Sequence, residues 1–217
     1  MSNKDLRENL LAARLESLIK WSVDNSSTVL TATGLLVAAG LITSVFTLRR
    51  SELRDSQWTR LALAESFIGQ KQFPQAEQIL NEVLPAAASN DIFLHASFFL
   101  GEAAYQEQKY EEAVRHFSNI VNNGSASPVK ALALAHLGTT FEQMKDYAQA
   151  ARAYQNFVQS YPDHFMGARI QLAWGRTLTL AGNKTESRKV LSQLIDLYPT
   201  STWAENARSI MDKFAVR

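Results

Sequence analysis

The side chains that most often perform chemistry are few in this chain, and they are not arranged as a site. The sequence contains four histidines and no cysteine, which excludes disulfides, thiolate metal sites and a cysteine nucleophile. No two histidines share the spacing that a zinc site on one helix requires. Neither a glycine-rich phosphate loop nor a Gly-x-Ser-x-Gly elbow is present. We therefore expect no enzyme activity, no bound metal and no cofactor.

The charge balance gives no reason to expect a nucleic-acid partner. Lys and Arg number 22 and Asp and Glu 21, so the formal net charge is +1, whereas nucleic-acid-binding domains usually carry a clear basic surplus. Hydrophobic residues make up 46% of the chain, enough for a packed core. The most regular feature of the rest of the sequence is a repeat.

From residue 57 onward the sequence repeats with a period of 37. Gly101, Gly138 and Gly175 are 37 residues apart, and Ala64 occupies the matching position one period earlier. Three further series keep the same spacing, and their members are Ala76, Ala113, Ala150 and Ser187; Phe73, Tyr110, Tyr147 and Lys184; and Leu80, Phe117, Tyr154 and Leu191. A fixed period of this length predicts an array of helical hairpins.

The residue types explain how each hairpin would pack. Each unit has two apolar-periodic stretches separated by a polar break, and its small Gly or Ala lets the first helix approach its neighbours closely. The aromatic or aliphatic residue sixteen positions later fills the space between helices. Pro162 and Pro199 end second helices, because proline cannot continue a helix interior. The pattern predicts four units over residues 57–201 and a capping helix over residues 202–217.

These positions resemble the tetratricopeptide repeat. The third unit shows the pattern most fully, with Leu137-Gly138, Phe141, Tyr147, Ala150, Tyr154, Phe157 and Pro162. Lys184 and Ser187 depart from it in the fourth unit, and the first unit is the weakest match. The resemblance implies an all-α fold, an α-solenoid of about four helix-turn-helix repeats that binds other proteins.

Mapping the repeat onto the first helices predicts which side chains face a partner. The candidates are His95, Phe99, Glu102 and Gln106 from the second unit, His136, Thr139 and Gln143 from the third, and Arg169 and Arg176 from the fourth. This surface is apolar near the second unit and basic near the fourth, so it would suit an extended or helical peptide with an acid at one end. The alternative is that these side chains are merely solvated and partners bind elsewhere, for instance on the convex side.

Residues 29–48 form a run of 20 residues without a charged side chain. That is the length an α-helix needs to cross a hydrocarbon core of ~30 Å, so we predict a single transmembrane helix and a helical linker over residues 49–56. A buried core helix is one alternative and a cleaved signal peptide another, although Arg49-Arg50 follows the run where a small-x-small cleavage site would be expected. Residues 1–28 are predicted to form an amphipathic segment, with apolar residues at helical spacing.

A short N-terminal segment, one span and a small repeat array resemble a group of bacterial envelope proteins that includes the ancillary Sec-translocon subunit and the cell-division coordinator. The resemblance implies a single-pass protein of the inner membrane with a periplasmic repeat domain. Arg49, Arg50, Arg54 and Arg60 favour the opposite orientation by the positive-inside rule. We expect a scaffold that binds client or partner proteins in secretion or envelope assembly. The alternative is a constitutive accessory subunit of a large membrane complex.

Overall fold

The computed structural model describes the backbone of residues 3–123 and 127–215 and the side chains of residues 14–122 and 127–213. Every regular element in these ranges is helical, so the predicted all-α fold class is confirmed. The chain divides into two compact units, Met1–Leu53 and Arg54–Arg217.

The first unit consists of α1 (Asn3–Asp24) and the beginning of α2 (Ser26–Gly69). Helical hydrogen bonds continue through the residue between them, because the Asn25 N–H donates to the Trp21 carbonyl and the Val29 N–H donates to the Asn25 carbonyl. The apolar side chains described in α1 are exposed, among them Leu18 and Trp21. Residues 1–13 of the predicted amphipathic segment lie outside the described side chains.

The apolar run of α2 is exposed along its length. No residue from 29 to 48 is buried, so the alternative of a buried core helix is wrong for this structure. The hydroxyl groups within the run bond back to the helix: Thr43 donates to the Ala39 carbonyl at 2.8 Å and Thr47 to the Ser44 carbonyl at 2.9 Å. These bonds satisfy polar groups that would otherwise need water. Residues 49–56 are helical as part of α2.

The second unit is a row of helices in which each packs against the next. After the end of α2 these helices are α3 (Phe73–Val83), α4 (Asn90–Gln106), α5 (Tyr110–Asn123), α6 (Pro128–Gln143), α7 (Tyr147–Ser160), α8 (Gly167–Leu180), α9 (Lys184–Leu197) and α10 (Thr202–Ala215). A short 3-10 helix, Leu84–Ala86, follows α3. First helices (the end of α2, then α4, α6 and α8) alternate with second helices (α3, α5, α7 and α9), as the 37-residue period predicts.

The turn inside each hairpin contains one residue in the left-handed backbone region. Lys71, Gln108, Lys145 and Gly182 have φ values of 59°, 64°, 61° and 83°, and they are 37 residues apart. In each turn the following N–H donates to a carbonyl five residues earlier, as Asp146 does to Phe141 at 2.9 Å. This bond satisfies a free carbonyl at the helix end and starts the return helix.

Small residues set the distance between the two helices of a hairpin. A Cβ atom added to Gly101 would lie 2.6 Å from the ring of Phe117, and one added to Gly138 would overlap the ring of Tyr154. Phe117 and Tyr154 are fully buried or nearly so. The predicted pairing of a small residue with a large one sixteen positions later is therefore confirmed at van der Waals contact.

The first hairpin is closed by a buried amide. Gln57 is 4% exposed, its Nε2 donates to the Ala86 carbonyl at 2.8 Å, and its Oε1 accepts from the Ala88 N–H at 2.9 Å. Both the NH2 group and the oxygen of the amide form hydrogen bonds, so burial of this side chain leaves no polar group unsatisfied. This pair of bonds holds the loop before α4 against the first helix of the repeat array.

Candidate protein-interaction surface

Side chains at equivalent positions of successive first helices form one continuous row. We call this row the first-helix face, and its members, 37 residues apart in three series, are Trp58, His95, Leu132, Arg169 and Asn206; Ala62, Phe99, His136, Ala173 and Ile210; and Glu65, Glu102, Thr139, Arg176 and Lys213. The contacts described next join this row from α2 through α10.

The face begins with aromatic and apolar groups on α2 and α4. The rings of Trp58 and His95 meet edge-on with centroids 4.9 Å apart, and the His95 Nδ1 lies 2.8 Å from the Asp91 carbonyl oxygen of its own helix. Trp58 is 37% exposed and Phe99 is half-buried, packed against the core. This end therefore presents apolar area to solvent while His95 serves local packing.

Glu102 and His136 connect α4 to α6. The Glu102 Oε1 lies 3.8 Å from the His136 Nε2, within the usual distance for an ion pair. Burial and, to a smaller extent, the positive charge of Arg169 together lower the pKa of His136 to about 4. Burial also raises the pKa of the Glu102 carboxyl, with a smaller contribution from the charge of Glu65. The imidazole is therefore neutral at pH 7, and the contact between them is polar rather than ionic.

Aromatic rings surround the buried side of His136. Its ring centroid lies 5.1 Å from that of Phe98 and 5.2 Å from that of Phe117. These rings remove water from the imidazole and explain the direction of its pKa shift. His136 is thus a packing residue with one polar edge on the first-helix face.

The next junction, between α6 and α8, contains a well-formed ion pair. Arg176 Nη2 donates to both carboxylate oxygens of Glu142, at 3.0 and 2.7 Å, and the hydroxyl of Thr177 donates to the same carboxylate. The Glu142 side chain is only 14% exposed. Three donated bonds therefore compensate the burial of this charge.

Beyond this pair the face opens into a groove of about 500 Å³ between α6, α8 and α10. We call it the α6–α8–α10 groove, and the residues that line it include Thr139, Glu142, Tyr154, Arg169, Ala173, Arg176, Trp203, Asn206, Ile210 and Lys213. The phenol of Tyr154 lies 3.3 Å from the hydroxyl of Thr139, and burial raises its pKa to about 12. That phenol is neutral at any physiological pH.

Charge changes sign along the first-helix face. Glu65 and Glu102 lie at the α2 and α4 end, and Arg169 and Lys213 lie at the α8 and α10 end. Within the part of the chain that the structure describes, neither Arg169 nor Lys213 forms an ion pair; Arg169 contacts the sulfur of Met166 at 3.2 Å. Their positive charge is therefore available to a partner.

The predicted site residues divide into four groups. The structure brings Thr139, Arg169 and Arg176 together in the groove, and Glu102 and His136 meet beside it. His95 and Phe99 lie on the same face nearer α2. Gln143 is exposed on α6, and Gln106 is exposed at the end of α4; neither contributes to the groove lining.

Sequence reasoning missed residues at both ends of the face. Trp58 and Glu65 precede the predicted set by one period, and Asn206, Ile210 and Lys213 follow it by one period. Subtracting or adding 37 would have identified them. Residues 202–217 were predicted to form a capping helix, so no site residue was predicted there. In the structure, however, α10 occupies the position of another first helix and contributes Asn206, Ile210 and Lys213 to the face.

No cluster of three or more His, Asp or Glu side chains suited to a metal ion occurs among the described residues. Of the helices in that part of the chain, α2 is the one long and apolar enough to cross a membrane. Such a helix near the N-terminus is also compatible with a signal sequence.

Comparison with known proteins agrees with the repeat. Residues 61–128 match one family model described as a tetratricopeptide repeat, and residues 132–164 and 170–201 match another with the same description. Together the two models account for more than half of the chain. No curated protein matches it.

Solved structures with a similar fold share little sequence with the chain. A tetratricopeptide repeat protein from Parabacteroides merdae superimposes with a TM-score of 0.62 at 14% identity over 73% of this chain and 60% of that one. A Podosopora anserina putative kinesin light chain with nearly identical TPR-like repeats gives 0.59 at 15% identity, covering 76% and 85%. MamA of AMB-1 gives 0.55 at 16% identity, covering 78% and 84%. At these identities the likeness concerns the fold alone.

Proposed function

Because the chain belongs to the tetratricopeptide-repeat family, a family of protein-interaction scaffolds, we propose that it is a membrane-anchored scaffold of the bacterial envelope. It binds client or partner proteins through the first-helix face and holds them at the inner membrane. The observation that carries this proposal is the continuous face from Trp58 to Lys213, whose side chains are exposed or half-buried on five successive first helices.

Support for the anchor comes from the exposed apolar run of α2. Leu30, Leu36, Leu41 and Phe46 are each more than half exposed, and exposing so many large apolar side chains to water is unfavourable. In a bilayer the same exposure is favourable, and the backbone of a helix is already satisfied. Arg49 and Arg50, which follow the run, suit the headgroup region.

Alkaline carbonate extraction tests the anchor. We expect the wild-type chain to stay in the membrane pellet and the variant Leu36→Lys/Leu41→Lys to move to the supernatant, because each buried lysine opposes insertion by about 3 kcal/mol. Thr59→Lys is the matched control, since Thr59 is exposed on the same helix outside the apolar run. A mature protein that lacks the segment up to residue 48 would indicate a cleaved signal peptide and would end the proposal of an anchor.

Photo-crosslinking tests the face. A benzophenone amino acid placed at Arg169 is expected to crosslink to discrete partner proteins in intact cells. The same group at Arg188, exposed on the second helix α9, is expected to give few products. If position 188 crosslinks to the same proteins as strongly as position 169, or if neither does, the first-helix face is not the binding surface.

We propose a periplasmic repeat domain, which the resemblance to envelope proteins supports. The arginines after the apolar run favour the cytoplasm instead, so orientation needs a direct measurement. Protease added to spheroplasts is expected to degrade residues 54–217 while leaving a cytoplasmic marker intact. Protection of the repeat unit until the inner membrane is lysed would reverse the assigned orientation.

An accessory subunit of a large membrane complex is the second candidate. Apolar area on α1, such as Leu18, Ile19 and Trp21, is exposed, and this favours constitutive packing against other proteins or lipid. Native electrophoresis after mild detergent extraction separates the two candidates. A single complex of fixed stoichiometry would favour the subunit, whereas substoichiometric and varied partners would favour the client scaffold.

A further inference from the structure

The α6–α8–α10 groove differs from the rest of the first-helix face in having cations without a partner. Arg176 is already bonded to Glu142, whereas among the described residues no carboxylate lies within ion-pair distance of Arg169 or Lys213. Both of these side chains line the groove and both belong to exposed residues. The described residues that line the groove therefore give it a net positive charge.

The positive charge of Arg169 acts on a partly buried group, the imidazole of His136. It lowers the pKa of the neighbouring His136 beyond the effect of burial. The guanidinium of Arg169 on α8 therefore lies close enough to His136 on α6 to act on it across the α6–α8 junction.

Apolar side chains lie beside these cations. Trp203 and Ile210 on α10 are half-buried, packed on one side against the last core cluster, and both line the groove together with Ala173 on α8. A partner side chain placed there would cover apolar area that now meets water. Half-buried aromatic anchors next to charged groups are typical of the residues that dominate protein interfaces.

We propose that the α6–α8–α10 groove binds a segment of a partner protein in which Asp or Glu side chains flank an aliphatic or aromatic residue. The carboxylates bond Arg169 and Lys213, and the apolar residue packs on Trp203 and Ile210. This inference rests on the proposed scaffold function and specifies the chemistry of its partner.

The acidic end of the first-helix face, on α2 and α4, determines in which orientation the partner segment binds. Glu65 and Glu102 would repel further acidic residues, so the acids must be concentrated at the α8 and α10 end. Packed helices are about 10 Å apart, and α4 and α8 are two such steps apart, or about 20 Å. That distance corresponds to roughly six residues of extended chain. Neutral or basic residues are therefore expected about six positions from the acids.

Selection from a displayed library of random peptides tests the specificity. The target is the full chain in detergent micelles. We expect the enriched peptides to carry Asp or Glu next to Leu, Ile, Phe or Trp. Enriched peptides without acidic residues, or no enrichment, would refute the inference.

Affinities of labelled, enriched peptides then locate the site. Fluorescence polarisation is expected to show at least about tenfold weaker binding to Arg169→Glu and to Lys213→Glu, since a charge-assisted bond is lost and a repulsion added. Arg188→Glu is the matched control and should bind like wild type. Binding should also weaken as NaCl is raised, because the charges are exposed.

Two outcomes separate this inference from the scaffold function. If the peptides bind wild type and both groove variants equally but lose binding to Glu102→Lys, the face binds proteins at its other end and the groove assignment is wrong. If an oligonucleotide displaces the peptides as well as an excess of unlabelled acidic peptide does, the groove binds polyanions and the protein assignment is wrong. Absence of crosslinks at position 169 in cells would instead contradict the scaffold itself.

Discussion

The contact between Gly138 and Tyr154 offers a direct test of the packing that spaces the helices. Gly138→Ala adds a single Cβ, which would overlap the ring of the buried Tyr154. The ring cannot swing away, because Tyr154 is 2% exposed and belongs to a core cluster with Ala150 and Phe157. Either the ring leaves its preferred rotamer or α6 and α7 move apart.

The magnitude follows from comparison with a glycine in open space. Overpacking of this kind costs about 1–3 kcal/mol, while Ala in place of Gly improves helix propensity by up to about 1 kcal/mol. Gly69, the last residue of α2, has no atom within 4 Å of an added Cβ. Gly69→Ala therefore reports the propensity gain alone, and Gly138→Ala should be less stable than this control by about 1–3 kcal/mol.

A compensating variant sharpens the test. In the first hairpin the same two positions are occupied by Ala64 and Leu80, both fully buried. The double variant Gly138→Ala/Tyr154→Leu reproduces that pair in the third hairpin. We expect the double variant to lose less stability than the sum of its single variants, by about 1 kcal/mol or more.

Urea unfolding of the full chain in micelles, followed by circular dichroism at the helical minimum, measures these differences. Equal transition midpoints for Gly138→Ala and Gly69→Ala would refute the close-contact argument. Strict additivity in the double variant would show that the cost arises elsewhere than at the ring of Tyr154.

Three further variants test other features by the same unfolding measurement. Lys145→Gly should stabilise the chain by about 0.5–1 kcal/mol, because a left-handed backbone is costly for any residue except glycine, and Gly182 already occupies that position in the fourth turn. Glu142→Gln should destabilise by about 1–3 kcal/mol through loss of its charged bonds, whereas the control Glu186→Gln, at an exposed pair of 3.8 Å, should change little. Burial lowers the pKa of His136 to about 4, so the unfolded chain binds more protons below pH ~6.5. This histidine should therefore lower stability as pH falls from ~6.5 to ~4, and His136→Gln should remove that part of the slope; an unchanged slope would contradict the assigned burial.

The repeat was predictable because its physical requirements are local and recur. Each hairpin needs a small residue opposite a large one and a polar break, and a proline ends two of the second helices. These residue types therefore recur at fixed positions in the sequence, as Gly138, Tyr154 and Pro162 show. The same spacing also predicted part of the first-helix face, from His95 to Arg176. It did not identify Trp58, because no site residue was predicted from the first unit, or Lys213, because residues 202–217 were assigned to a cap.

The turn conformation was not readable from residue type. Glycine at position 182 is the expected residue for a left-handed backbone, but the other three turns place Lys71, Gln108 and Lys145 there. The hydrogen bonds that end one helix and start the next impose this conformation on ordinary side chains. The period locates these residues, but their strain appears only in the folded chain.

The sequence by itself determined that the chain is all-α, that its hairpins recur every 37 residues, and that residues 29–48 form an uncharged apolar run. These properties depend on composition and spacing along the chain. Only the tertiary structure decided which charges are satisfied: Arg176 is bonded to Glu142, 34 residues away, and Arg169 has no such partner among the described residues. Two arginines that look equivalent in the sequence thus differ in what they offer a partner, because charge pairing depends on distances between helices that the repeat pattern does not encode.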